Sequence, residues 1–146
     1  MSALDSLVDP AFAKDPPVKL NLDAKVVGIV LAILAGLGAL LGLISLLGLL
    51  TLSAAFGGIF VVALLGVVIN VVGDILCVVG GWRMYQGNPE GKRLAVYGIA
   101  IAFVAEIIYA IGFANGSAII PLIVLALLYY AVVVSRFPSE VRVQTP

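Results

Sequence analysis

The segment NVVGDILCVVGGWRMYQGNPEGKR, Asn70 to Arg93, decides how this chain folds. Its first half is apolar apart from Asn70 and Asp74. It then meets Trp82, Arg83 and Tyr85, turns on Gly-Asn-Pro-Glu-Gly, and restarts beyond Lys92 and Arg93. Aromatic rings and basic groups gather at membrane–water boundaries, and Arg and Lys near span ends stay on the cytoplasmic side. The segment reads as a cytoplasmic hairpin between two membrane spans.

Composition agrees with that reading. Of 146 residues, 63% are hydrophobic and only 11% charged, and the mean hydropathy is +1.24, more apolar than a water-soluble fold can bury. The formal net charge is zero, so no clustered cationic surface is expected for nucleic acid. The chain has no histidine, and Cys77 is its single cysteine. Ligand sets for structural zinc, b-type haem or iron–sulfur clusters cannot be assembled, so no cofactor is expected through His or Cys clusters, while a structural lipid remains open. Cys77 has no internal disulfide partner and reads as a small buried hydrophobe.

From Val26 to Ile69 no residue is charged. That run is long enough for two spans if it breaks near Thr51 to Gly58. The expected spans are 24–50, 55–84, 94–113 and 117–135, with Asp23 or Asn21 capping the first helix and Ser117 the fourth. Residues 1–23 form a polar tail rather than a cleavable signal. In it Ser2 and Asp5 resemble a capping box, Leu4, Leu7, Val8, Ala11 and Phe12 fall at helical spacing, and Pro10 interrupts them, so at most a short interfacial helix is expected. Residues 136–146 form a polar C-terminal tail.

The basic residues sort by position. Lys14, Lys19 and Lys25 precede span one; Arg83, Lys92 and Arg93 separate spans two and three; Arg136 and Arg142 follow span four. The other two loops carry none, which places both termini and the hairpin in the cytoplasm. The fold class expected is an all-α integral membrane protein, a four-helix up-down bundle, in the plasma (inner) membrane of a prokaryote.

Two acids lie inside the apolar runs. Asp74 precedes Arg83 by nine residues, or ~13 Å of helix, and Glu106 follows Arg93 by thirteen, or ~20 Å. Both depths fall within a ~30 Å hydrocarbon core. Asn70, one turn from Asp74, and Tyr109, three residues after Glu106, could join them in one polar cluster. With no Lys, Arg or His in the core to neutralise them, at least one carboxyl is expected to carry a proton, and a shared proton is natural for such a pair. The cluster is either a proton or cation site or a set of interhelical hydrogen bonds that fixes register.

Small residues are dense. Gly28, Ala32, Ala35, Gly38, Ala39 and Gly42 on span one, with Gly66 and Gly73 on span two, allow close helix approach, inside the bundle or in a homo-oligomer. Trp82, Arg83, Tyr85, Lys92, Arg93, Arg136 and Phe137 are expected as interfacial anchors. Tyr129 and Tyr130, further inside, either pack or edge a pigment, quinone or lipid site. The turn Gly87 to Gly91 lacks the Lys-Ser/Thr and the preceding strand of a phosphate loop. No nucleophile–base–orienter arrangement is visible, so an enzyme is not expected.

Size and four-span topology resemble those of small multidrug transporters and of dimeric fluoride channels. The former centre on a Glu in their first span, and span one here is uncharged. Two functions follow as expectations. The first is a non-catalytic accessory subunit beside other integral membrane subunits in the lipid bilayer. The second is a small homo-oligomeric proton- or cation-coupled transporter or channel using the intramembrane carboxylates.

Overall fold

A computed structural model describes residues 3–113 and 116–142. Ser2 of the expected capping box, the middle of the turn after span three and residues 143–146 lie outside the described residues. Six α-helices and three short 3-10 turns make up the described chain: α1 (Ala3–Val8), α2 (Ala24–Phe56), α3 (Val61–Tyr85), α4 (Glu90–Phe113), α5 (Ile119–Val134) and α6 (Pro138–Arg142). Three of them, α2, α3 and α4, are long and apolar enough to cross a membrane, and α5 is a shorter apolar helix. The chain is thus an all-helical integral membrane protein by the length and composition of its helices.

Each helix begins and ends for local reasons. Asp23 caps α2, its Oδ1 accepting from the Lys25 amide at 2.8 Å. The helix continues past Leu50 to Phe56, six residues beyond the expected end of span one, so Ala55 and Phe56 belong to α2 and not to span two. Nothing in Thr51 to Ala55 forces a break, because the Thr51 hydroxyl bonds back to the Leu47 carbonyl at 3.0 Å. The stop is Gly57, whose φ of 76° ends the helix where most residues would be strained. At 33 residues, or ~50 Å, α2 exceeds a bilayer core and must tilt or protrude.

The hairpin turns on Gly87, with φ 82°. Asn88 then caps α4 through its side-chain oxygen, which accepts from the Glu90 amide at 3.0 Å, with Pro89 at the start, where its missing N–H costs nothing. Lys92 and Arg93 therefore lie within the first turn of α4 rather than ahead of it. The cap position of α5 is held by Ala118, not Ser117, and makes no side-chain cap bond. Its 16 residues rise ~24 Å, less than a ~30 Å hydrocarbon core, a mismatch that local thinning of a bilayer would accommodate. Beyond it, Pro138–Arg142 form a short helix where a polar tail was expected.

The tightest pairing is between α3 and α4. A Cβ built on Gly73 meets the Ala102 amide at 2.8 Å and the Gly98 carbonyl at 2.9 Å, and one built on Gly80 meets the Gly91 carbonyl at 2.8 Å. These two helices therefore touch backbone to backbone. On the other side of α3, a Cβ built on Gly81 would meet the Gly28 carbonyl of α2 at 2.5 Å. The fifth helix packs more thinly against α4 and α2.

The apolar core falls into two parts. One, at the basic end, gathers Leu31, Cys77, Met84, Val96, Ile99, Val132 and Phe137; the other, at the far end, gathers Leu49, Ala63 and Val67. Cys77 is buried there, its Sγ 3.8 Å from the Ala95 carbonyl. Phe137 is 3% exposed, so it belongs to this core and does not serve as a boundary anchor. Trp82 and Tyr85, at 53% and 45%, remain exposed.

Candidate intramembrane polar site

Between the two apolar clusters the helices leave room, and the polar residues fill it. Asn70 and Asp74 face the same way on α3, one turn apart. The Asn70 Nδ2 donates to Asp74 Oδ2 at 3.1 Å. Asp74 is only 8% exposed. Glu106 of α4 is half-buried and borders the same cavity as Asp74.

Two cavities flank this group. The inner one, about 240 Å³, is bordered by Asp74, Asn70 and Glu106 together with Leu34 and Gly38 of α2 and Pro121 of α5. The outer one, about 230 Å³, is bordered by Asn70, Glu106 and Tyr109 with Gly38, Gly42 and Ser45 of α2. Asn70, Glu106 and Gly38 thus border both, whereas Asp74 belongs to the inner cavity and Tyr109 to the outer. No Lys or Arg lines either one. With no cation lining the cavities among the described residues, neutralisation by a proton, or by a cation entering the cavity, is the chemistry available to a carboxylate here. Among the described residues no group of three or more His, Cys, Asp or Glu is placed to hold a metal ion.

The small residues of α2 divide by role. Gly28 meets α3 at Gly81 and Met84, and Gly42 meets Val71. Ala35 is buried, and Ala32 and Ala39 are half-buried. Gly38 is different. A Cβ on it would lie 2.9 Å from Asp74 Oδ2, so the missing side chain is the space the carboxyl occupies. Sequence reasoning grouped Gly38 with ordinary packing positions and did not single out Ser45. The only available signal was their spacing of seven residues, which brings both to one face of α2.

The boundary residues also separate. Arg83 reaches Glu90 across the hairpin at 3.5 Å, and the Arg93 Nε donates to the Tyr97 hydroxyl at 2.9 Å. Lys92 has a structural task instead of a lipid-facing one. Its Nζ donates to the carbonyls of Val133 at 3.2 Å and Ser135 at 2.5 Å, capping the negative end of α5. Arg136 is stitched by its backbone, its amide donating to the Leu22 carbonyl and its carbonyl accepting from the Ala24 amide, both at 2.9 Å.

Tyr129 and Tyr130 hold the N-terminal segment. The Tyr129 hydroxyl donates to the Leu7 carbonyl at 2.8 Å, and the Tyr130 hydroxyl donates to the Val18 carbonyl at 2.7 Å. Phe12 stacks on Tyr130 with ring centroids 6.1 Å apart. Their hydroxyls are engaged by the chain itself. Comparison with protein-family models, with curated proteins and with solved structures found no match to this chain.

Proposed function

We propose that this protein is a small proton- or cation-coupled membrane transporter or channel, and that Asp74 and Glu106 are the groups that bind the translocated charge. The observation that carries the reading is the pair of cavities meeting at Asn70 and Glu106, with Asp74 beneath one of them. Hydrogen-bond glue between helices needs matched partners and close packing. Here the carboxyls border open volume, and the Asn70 side chain that donates to Asp74 borders it too.

In this reading the four apolar helices form an up-down bundle with both termini and the hairpin on the cytoplasmic side, in the plasma membrane of a prokaryote. The support is the distribution of basic residues, since the N-terminal segment, the hairpin and the end of α5 are joined at one end of the molecule. The site then lies at mid-depth, and the Gly-rich faces of α2 leave the homo-oligomer open.

An accessory role beside other subunits draws less from the geometry. Exposed apolar side chains run around α2, α3, α4 and α5 alike, from Val26 and Leu47 to Val72, Val104 and Leu127. That is the surface lipid requires, and it marks no particular docking face.

The test is flux. The purified chain in liposomes is expected to pass protons or a monovalent cation, with Asp74→Asn and Glu106→Gln each lowering the rate at least tenfold while the protein still elutes as the same folded species. Wild-type liposomes that pass no proton, sodium or potassium above protein-free controls would sink the proposal.

A further inference from the structure

At the basic end, residues 14–22 do not hang free. They run across the ends of α2 and α5, fixed by the Arg136 and Val18 bonds described above, and they enclose a cavity of about 310 Å³. Three cations border it, Lys14, Lys19 and Arg136, against one anion, Asp15. Lys19 and Asp15 form an ion pair at 4.0 Å, but both are almost fully solvated, so that pair is weak and opens readily for a better ligand. The carbonyl end of α5 would repel an anion. Lys92 neutralises it through Val133 and Ser135.

The position matters as much as the charge. Leu22 and Val134 also line the cavity, which places it at the level where α2 begins and α5 ends. This is headgroup depth for a chain whose helices cross a bilayer. Val18 and Leu20 expose apolar side chains beside it, at 56% and 46%. Along α2, one and two turns deeper, Val26 and Val30 are exposed to the acyl region at 59% and 46%. A soluble anion has no use for that apolar surround, whereas an anionic lipid fills both parts.

We infer that the cavity framed by Lys14, Lys19 and Arg136 binds the phosphate of an anionic phospholipid headgroup. Its volume is at the small end of ligand clefts, roughly 300–1,000 Å³, enough for a phosphodiester and its glycerol. The inference is independent of the intramembrane carboxyl site.

Native mass spectrometry of the full chain released from nanodiscs of equal phosphatidylglycerol and phosphatidylcholine tests it. The wild type is expected to retain phosphatidylglycerol preferentially. Each basic residue near a charged surface contributes about fivefold, so Lys14→Gln with Lys19→Gln lowers that preference about 30-fold. The Lys14→Arg and Lys19→Arg pair keeps it. Arg83→Gln with Arg93→Gln, removing as much charge from the hairpin, lowers it several-fold less, because these side chains are already engaged by Glu90 and Tyr97. Equal retention of the two lipids by the wild type overturns the inference, as does equal loss in the hairpin and cavity variants. Displacement of the lipid by millimolar inorganic phosphate assigns the site to a free anion and overturns the lipid. Circular dichroism confirms that each variant remains helical.

Discussion

Gly38→Ala separates the two roles of glycine in this protein. The added methyl would sit 2.9 Å from Asp74 Oδ2, 3.2 Å from its carboxyl carbon and 3.3 Å from Oδ1. All three are atoms of one side chain, so the conflict is relieved by turning the carboxyl away from α2. The cost is the Asn70–Asp74 hydrogen bond, about 1 kcal/mol. Replacing Gly by Ala inside a helix returns about 1 kcal/mol. Stability should therefore change by less than about 1 kcal/mol, while the carboxyl leaves the position it holds between the cavities. Gly80→Ala is the contrast. Its methyl meets the Ala95 amide, the Gly91 carbonyl at 2.8 Å and Ala95 Cα at 2.9 Å. Those are backbone atoms, so α3 and α4 must move apart, at the upper end of the ~1–3 kcal/mol typical of overpacking. Thermal unfolding in detergent and flux in liposomes read the two effects. Gly38→Ala is expected to unfold near the wild-type temperature and to conduct at least tenfold more slowly; Gly80→Ala is expected to unfold well below it. A Gly38→Ala protein conducting at the wild-type rate would refute the assignment of this carboxyl, and a fully stable Gly80→Ala would refute the backbone seam.

Two further outcomes follow from the basic end. Lys92→Met removes two charge-assisted bonds to Val133 and Ser135, each worth ~1.5–3 kcal/mol. The variant should lose about 3 kcal/mol in detergent unfolding, where Arg93→Met leaves the unfolding curve close to the wild type because its bond to Tyr97 is exposed to solvent. Tyr130→Phe deletes the hydroxyl that bonds Val18 at 2.7 Å, about 1 kcal/mol of local anchoring. Trypsin should then cut after Lys14 and Lys19 roughly fivefold faster, with no change in the global unfolding temperature; an unchanged cutting rate would show that the hydroxyl does not hold the segment.

The long helices are legible in the sequence because uninterrupted apolar runs bounded by Asp23, Arg83 and Arg93 can only be satisfied by helices in lipid. The Asn70–Asp74 contact is legible too, since residues four apart share a face. What is lost is the rotation of each helix. In a membrane protein the lipid-facing and core-facing sides are both apolar, so no hydrophobic stripe tells which side of α2 meets α3. That is why Gly38 looks no different from Gly36, although a Cβ on Gly36 would make only ordinary contact with Val78 at 3.9 Å. Phe137 misleads for a related reason. An aromatic at a helix end suits a boundary belt and a core equally, and only the turn at Arg136, tied to Leu22, directs it inward. The position of the first break was obscured because Thr51 looks polar, yet satisfies itself within the helix.

The placement of the two acids on α3 and α4 has a mechanical sense. A pair that hands a proton from one carboxyl to the other needs a fixed separation, and access that differs between the two sides. Asp74 and Glu106 stand on the two helices locked backbone to backbone through Gly73, Gly80 and Gly98. Their separation is therefore set by the most rigid part of the molecule. The remaining cavity walls come from other helices: Gly38 and Ser45 on α2, Pro121 and Leu128 on α5. The fifth helix is the most thinly packed of the four, and its far end starts without a side-chain cap. Small displacements of α5 would open the inner cavity without disturbing the pair. Rigidity at the carboxyls and looseness at α5 is the division of labour that the proposed translocation would use.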